Sequence, residues 1–467
     1  MQPRVPARGP VPPGSTPSGM SKTLTRRRVF QLAWPIVLAN SAVPLLGLVD
    51  TAVIGNTGDV QDLGAISLGA LIFNFVFWGF GFLRMGTTGF TAQAAGQGDS
   101  AEVRAVLGRA LILSLILGVG LIVLQGPLAR SALGLLGASS SVEALTREYF
   151  DIRIWAAPAS LGLFASMGLL VGLGRTRDVL LLQLLLNATN GVLDVWLAGG
   201  LGLGVQGIAL GTATAEWVTF GVALLVSARA LRSERTDAEP WWPLERILDR
   251  ARARETLGAN ADIMVRTLFL LLGFAWFTNQ SALFGDDVLA ANHVLLQLVS
   301  LSAYLLDGYA HATEILVGRA VGAGRREPFD QAVRLSTELS AASAAALAGG
   351  VLVLGPWAIR LLTDLPPVQV VALDYLPWTA LYVLLSFAAF QLDGVFIGAT
   401  GTREMRNASV LSFLGFLLLS LTLVPFAGNA GLWAAFQGFV VLRAVALGAG
   451  YPALRRARFR TEVPRRG

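Results

Sequence analysis

Long apolar segments alternate with short polar connectors along the whole chain, and this pattern predicts a helical membrane protein. The run Leu111–Leu124, "LILSLILGVGLIVL", contains no charged residue and suits a bilayer interior. Several of the apolar segments exceed the ~20 residues that a crossing needs, which predicts tilted or protruding helices. We predict twelve spans, at residues 29–55, 65–93, 105–126, 147–171, 179–199, 205–228, 256–283, 288–318, 331–354, 369–398, 405–427 and 430–452.

Composition supports this assignment. Hydrophobic residues make up 54% of the 467-residue chain and charged residues only 14%, whereas soluble proteins carry about 25% charged residues. The predicted fold class is therefore an all-α integral membrane protein. The chain has no cysteine, which excludes disulfides, thiolate metal sites and cysteine nucleophiles.

The basic residues indicate topology. Of the 36 Lys and Arg residues, 29 lie in or beside the two tails and the even-numbered loops, and the opposite loops hold only Arg130, Arg147 and Arg360. Basic residues mark the cytoplasmic side, so we expect both termini in the cytoplasm of a multi-pass protein of the cell (inner) membrane. The net charge of +6 thus reflects topology, and we expect no nucleic-acid partner. The remaining four basic residues lie within or at the ends of spans: Arg84, Arg153, Arg266 and Arg443.

The polar segments outside the spans divide the chain. The first 22 residues are rich in Pro, Gly and Ser and predict disorder, and either Met1 or Met20 can be the true start. The connector Ser227–Glu255 is expected to carry an interfacial amphipathic helix. We predict a disordered basic N-tail at 1–28, an N-terminal six-helix bundle at 29–229, a cytoplasmic linker at 230–255, a C-terminal six-helix bundle at 256–454 and a basic C-tail at 455–467.

The two halves of the chain align with each other when one is shifted by 226 residues. Tyr149 then meets Tyr375, and Gly172 meets Gly398. Both halves begin on the same side and have six spans, so they are parallel repeats related by an axis along the membrane normal. Two bundles with a site between them can expose that site to each side in turn, which favours a transporter.

Polar side chains interrupt the apolar spans of the first half. Asp50 lies in "VPLLGLVDTAVIG", and the fifth span holds Asn187, Asn190 and Asp194 within about 60° of one another on one helix face. The sixth span contributes Thr212. These five residues form a candidate proton- or cation-binding site.

The corresponding positions of the second half are not acidic. Asp50 aligns with Trp276 and Asp194 with Ser420. An ionised Asp in mid-bilayer costs at least ~2.5–3.5 kcal/mol, and two neighbouring carboxylates disfavour a shared ionised state. The pair can therefore bind and release protons, or both acids with Asn and Thr oxygens can hold Na⁺. The structural alternative is that both acids only join helices.

Two prolines share the first span with Asp50. Pro35 and Pro44 each remove a backbone hydrogen bond and can bend the helix. A bend beside a titrating acid is a candidate conformational switch. A static kink explains the same residues equally well.

The second half carries different polar residues. Asp307, His311 and Glu314 follow i, i+4, i+7 spacing and so share a helix face, and Asp393 lies in the tenth span. They are candidates for a substrate-facing or secondary proton-handling site. One His with scattered acids does not match a zinc site, so we expect no metal cofactor and no other cofactor.

Four separated motifs resemble the MATE (multidrug and toxic compound extrusion) family, specifically its DinF-like branch, across residues 26–455. They are "LANSAVPLLGLVDTAVIG", "GFLRMGTTGFTAQAAGQGD", "LLDGYAHATEILVGRAVGAG" and "DGVFIGATGTREMRNAS". The resemblance implies the MATE fold of two pseudo-symmetric six-helix bundles. It also implies secondary active efflux of organic, often cationic or amphipathic, compounds in exchange for H⁺ or Na⁺.

The resemblance also implies roles for particular residues. The family's first-helix Asp corresponds to Asp50, its fifth-helix Asn and Asp to Asn190 and Asp194, and its sixth-helix Thr to Thr212. The proline that bends on protonation best matches Pro35. The second-bundle acids of other branches have no clear match here.

Two alternative functions would each need residues that the sequence lacks. A lipid or lipid-linked-sugar flippase on a related scaffold would need a strongly positive cavity, and only four basic residues lie at membrane depth. A membrane-embedded enzyme would need a clustered nucleophile, base or metal set, which the two histidines do not supply. We therefore expect a proton-coupled, alternatively sodium-coupled, antiporter that is not an enzyme and is monomeric.

Overall fold

The computed structural model describes residues 24–136 and 139–459, and within these ranges the chain is helical without a β-strand. The predicted disorder of most of the N-tail, the choice between Met1 and Met20, and the end of the C-tail lie outside the described residues. The helices are α1 Arg26–Ser41, α2 Val43–Thr57, α3 Val60–Gly79, α4 Phe82–Gln97, α5 Ser100–Val123, α6 Gln125–Leu136, α7 Ser140–Arg153, α8 Ala157–Gly172, α9 Thr176–Asp194, α10 Gly204–Glu234, α11 Leu244–Ile247, α12 Arg250–Ala282, α13 Asp286–Gly322, α14 Arg326–Leu362, α15 Pro366–Gly398 and α16 Thr402–Arg458.

The described helices are consistent with twelve membrane spans. Ten helical stretches are long and apolar enough to cross a membrane. One of these is α16, but Gly428 inside it has φ 52° and ψ −130°, so two helices, 402–427 and 429–458, meet there. The helices α1 and α2 form one further stretch, interrupted at Ala42.

The outer surface of these helices is apolar, as a lipid-facing surface requires. Large hydrophobic side chains such as Ile116 on α5, Val353 on α14 and Leu418 on α16 are more than half exposed. Charged and polar side chains are instead found among the buried residues. This inverted distribution confirms an integral membrane protein.

The backbone repeats with the offset that the sequence predicted. The helices α3, α5, α7 and α9 begin 226 residues before α13, α14, α15 and α16 respectively. Positive φ angles recur at the same offset: Gly98 (71°) and Gly324 (64°), and Gly174 (70°) and Thr400 (52°). Thr400 is the one non-glycine residue with a positive φ in the described chain. This φ strains the β-branched side chain, and the corresponding residue of the first half, Gly174, avoids the strain.

The two bundles contact each other along a seam, which we define as the packing of α4 and α1 of the first bundle against α13 and α15 of the second. Gln93 Nε2 donates to the Gly398 carbonyl at 2.8 Å, and Arg319 donates to the Leu173 carbonyl at 2.6 Å. Leu24 and Leu454 pack into one cluster beside the seam, so both ends of the described chain lie at this end of the molecule. We call it the basic end.

The connector between the halves is fixed to the basic end of the first bundle. The buried Arg104 guanidinium lies 2.7 Å from Asp237 Oδ1 and donates to the Trp241 carbonyl at 3.0 Å. Hydrogen bonds from Arg104 and Ser100 hold the pKa of Asp237 below its usual range. Between the end of α10 at Glu234 and the start of α12 at Arg250, the connector holds only the four-residue helix α11, so the expected interfacial amphipathic helix is reduced to this single turn.

Candidate functional site

The two acids of the first half are buried neighbours. Asp50 lies in the middle of α2, and Asp194 ends α9 where the chain enters a π-helical turn, Val195–Gly200. The Asp50 carboxyl group is adjacent to that of Asp194 and to the Asn190 side chain. The structure therefore brings together the acids that the sequence placed on different spans.

Asn190 and Thr212 complete the cluster. Asn190 Nδ2 donates to Thr212 Oγ1 at 3.0 Å, and Thr212 Oγ1 donates to the Ile208 carbonyl at 3.0 Å. Both oxygens of Asp194, one of Asp50 and the amide oxygen of Asn190 are buried without a hydrogen-bond donor among the described residues. An arrangement of buried acceptors without donors is suited to a proton or a cation.

The second half uses the same positions differently. Trp276 and Ser420, the counterparts of Asp50 and Asp194, are joined by a hydrogen bond of 3.1 Å from Trp276 Nε1 to Ser420 Oγ. The counterparts of Asn190 and Thr212 are Phe416 and Phe436, whose ring centroids lie 5.7 Å apart. Equivalent positions thus touch in both halves, but only the first half fills them with titratable oxygens.

Sequence reasoning missed an ion-pair network beside the two acids. Arg153 donates to the Tyr149 hydroxyl at 2.6 Å, lies 3.8 Å from Glu216 and stacks on Phe73 with 4.7 Å to the ring centroid. Ser160 also donates to Glu216. The sequence had marked Arg153 only as a basic residue at a span end, because its acidic partner Glu216 lies on another helix.

Asn187 lies at the junction of α1 and α2 rather than in the acid cluster. Its amide Nδ2 donates to the Ala42 carbonyl at 2.6 Å, and Gln183 donates to its Oδ1 at 3.1 Å. Pro35 is buried inside α1, and Pro44 begins the first turn of α2, where a missing N–H costs little. The side chain of Pro44 lies outside the described part. The span predicted as one helix is therefore two helices, with Asn187 satisfying a carbonyl at the break.

The stripe predicted on α13 forms a compact cluster. Asp307 Oδ2 lies 3.1 Å from His311 Nε2, and His311 Nδ1 lies 3.0 Å from Glu314 Oε2. Two residues of the first bundle join it: Arg84 contacts His311 and lies 4.0 Å from Asp307, and Asn40 donates to Asp307 at 3.3 Å. No group of acids, histidines or cysteines in the described residues is arranged to hold a metal ion.

Asp393 belongs to a separate ion pair of the second bundle. Arg266 donates to Asp393, and Arg443 lies 3.8 Å from the same carboxylate oxygen. All three side chains are buried. An acid held by two arginines is compensated already, which favours a structural role for it.

Comparison with known proteins identifies the family. The MatE family model matches residues 35–196 and again 263–424, once in each half. The chain is 38% identical over 427 residues to the DNA damage-inducible protein F of Escherichia coli K12, covering 91% of this chain and 92% of that protein. It is also 28% identical over 300 residues to a probable multidrug resistance protein NorM of Synechococcus, covering 63% of this chain and 64% of that protein.

The solved structures show the same fold. The Vibrio cholerae MATE transporter VcmN in its bent form superposes with a TM-score of 0.80 at 20% identity, covering 93% of this chain and 97% of that one. A membrane transporter of two related helical bundles is the class that the fold and site define. The chain belongs to the MATE family of multidrug and toxic compound efflux transporters. Its family confirms the predictions that it is a transporter and not an enzyme, and that it needs no cofactor.

Proposed function

We propose that the chain is an antiporter that exports organic, often cationic or amphipathic, compounds in exchange for protons by alternating access. The observation that carries this proposal is the buried pair Asp50 and Asp194, three of whose four carboxylate oxygens are buried with no donor among the described residues. Keeping two neighbouring carboxylates ionised in such an environment is unfavourable, so binding a proton to the pair lowers the free energy. The names of the relatives, which include multidrug resistance proteins, support the class of cargo.

The donor set favours a proton over Na⁺. Thr212 Oγ1 already accepts from Asn190 and donates to the Ile208 carbonyl, which leaves carboxylate oxygens and the Asn190 amide oxygen as open acceptors. A hard cation prefers more oxygen ligands than these groups readily supply. Sodium coupling through Asp50, Asn190, Asp194 and Thr212 stays the alternative.

The α1–α2 break connects this site to the seam. Asp50 lies on α2, while α1 packs against the second bundle, with Val37 and the Ala33 carbonyl beside Gly308 of α13. We infer that protonation changes the angle at the break, with Pro35 and Pro44 as the bending positions. The coupling ion and the substrate then favour different states of the two bundles, and each shifts the other's binding.

The compensation of the internal arginines argues against a flippase. Arg153, Arg266 and Arg443 lie beside Glu216 or Asp393, and Arg84 lies beside Asp307. A pyrophosphate-binding cavity would need positive charge that is free to meet the ligand.

The remaining assignments extend the same proposal. We propose a monomer of the inner membrane with both termini in the cytoplasm, and the bundle limits 29–229 and 256–454 with the linker 230–255 between them. Asp307 is 28% exposed, so Asp307, His311 and Glu314 are the better candidates for a substrate-facing second site. The enclosed Asp393 is a weaker one.

The decisive test is efflux of the organic cation ethidium from proteoliposomes under an imposed pH gradient or an imposed Na⁺ gradient. We expect Asp50→Asn and Asp194→Asn to reduce pH-driven transport at least tenfold. The matched control is Asp178→Asn, which lies on α9 like Asp194 but pairs with Arg175 at 3.5 Å near the surface. Wild-type rates in both variants would refute the site, and transport driven only by Na⁺ would refute the proton.

A further inference from the structure

Arg84 is the charged residue of the first bundle that reaches into the polar cluster of the second. It lies near the start of α4, and its guanidinium contacts His311 and lies 4.0 Å from Asp307 Oδ2. From the same side of the seam, Asn40 of α1 donates to Asp307 at 3.3 Å. Two elements of the first bundle therefore converge on one face of α13.

The charges across the seam are complementary because the repeat is broken here. With the 226-residue offset, Arg84 corresponds to Ala310, and His311 corresponds to Met85. The first bundle thus contributes the guanidinium, and the second contributes Asp307 and Glu314 with His311 between them. Each bundle alone would hold uncompensated charge at this depth.

Arg84 also lies at the point where the two bundles become closely packed along the seam. Towards the basic end, a Cβ on Gly322 would lie 2.8 Å from the Gln93 carbonyl carbon, and a Cβ on Gly318 would meet Ala92. Arg84 and Asp307 are 22% and 28% exposed, whereas His311 and Glu314 are buried. The pair therefore lies beside the closely packed part of the seam and is less enclosed than His311 and Glu314.

We propose that Arg84 is a positioning residue for transport, which holds α4 and α13 together across the seam through Asp307, His311 and Glu314. This inference rests on the alternating access proposed above. Opening the basic end separates α4 from α13, so the guanidinium must leave its partners and become hydrated. Removing Arg84 leaves Asp307 and Glu314 without their positive partner in the closed state. In the open state the guanidinium is already separated from them, so its loss matters less there. The substitution therefore destabilises the closed state selectively.

The absence of cysteine makes the separation directly measurable. Gln97 at the end of α4 and Glu327 in the first turn of α14 are exposed at the basic end, so Gln97→Cys with Glu327→Cys accepts two spin labels. Double electron–electron resonance in liposomes then gives the closed and open populations. We expect Arg84→Met to shift the ratio towards the longer distance at least tenfold, equivalent to about 1.4 kcal/mol.

Two comparisons separate this role from a general structural one. Arg84→Lys keeps the charge and should restore most of the closed population. Arg443→Met removes a more deeply buried arginine whose acid partner lies in its own bundle, so it should leave the ratio within about twofold of wild type. Asp307→Asn should shift the ratio strongly in the wild-type background and weakly beside Arg84→Met, because the two changes remove the same interaction.

The outcomes distinguish this inference from the function on which it rests. If wild type changes distance with the pH gradient but Arg84→Met keeps the wild-type ratio, Arg84 does not hold the seam. If Arg84→Met does not fold, an unshifted ratio in Asp307→Asn overturns the inference. If wild type shows one distance under every gradient, alternating access itself fails.

Discussion

Gly211 gives the sharpest perturbation of the acid site because the added group is one methyl. A Cβ at Gly211 would lie closer than 3.0 Å to Asp194 Oδ1, a separation that Cβ atoms do not adopt, and 3.3 Å from the Asp194 backbone nitrogen. Gly211→Ala therefore forces the carboxylate to move. Since that carboxylate is the end of a side chain, it can rotate without displacing α9.

The magnitude follows from this local movement. A change to another χ1 rotamer displaces the carboxylate by roughly 2 Å, enough to remove it from the Asp50 and Asn190 side chains. Separating the carboxylate from these two neighbours should change the binding constant of the coupling ion at least tenfold, which corresponds to about 1.4 kcal/mol. Folding is affected less, because Ala in place of a helical Gly contributes about 0.5–1 kcal/mol.

The assay compares Gly211→Ala with Gly221→Ala on the same helix, where no atom lies within 4 Å of the added methyl. We expect both variants to unfold within a few degrees of wild type. Only Gly211→Ala should lose pH-driven ethidium transport in proteoliposomes, by at least tenfold. Equal transport in the two variants would refute the placement of Asp194 against α10.

Three further predictions follow from other contacts. Gly322→Ala should separate the seam, because its Cβ would meet the Gln93 backbone. We expect it to destabilise the closed state relative to the open state by about 1–3 kcal/mol, measured from spin-label distances. Gly349→Ala, with open space around its Cβ, should not change these distances. Ser420→Ala removes the hydrogen bond at the second-half counterpart of Asp194 and should leave ion coupling unchanged, so a coupling defect would show that both halves act. Asp237→Asn should lower thermal stability above about pH 4 by roughly 1–3 kcal/mol. The depressed pKa of Asp237 means that the wild-type advantage shrinks as pH falls below about 4, so a stability difference that is as large at about pH 2 as at about pH 6 would contradict the assignment.

Periodicity alone correctly grouped the polar residues of α13. The i, i+4, i+7 spacing of Asp307, His311 and Glu314 predicted one face, and the structure joins them at 3.1 and 3.0 Å. The repeat offset was equally readable, and helix starts and positive-φ positions reproduce it. These features are local or arise from duplication, so they require no knowledge of which helices are neighbours.

Pairing across helices was decided only by the tertiary structure. Arg84 meets His311 across the bundle boundary, and Arg153 meets Glu216 across its own bundle, although hundreds or dozens of residues separate them along the chain. Asn187 shares a face with Asp194 yet binds the carbonyl at the α1–α2 break. Helix rotation and crossing determine these contacts. The sequence of one helix does not encode these contacts, because they also depend on how the neighbouring helix packs against it.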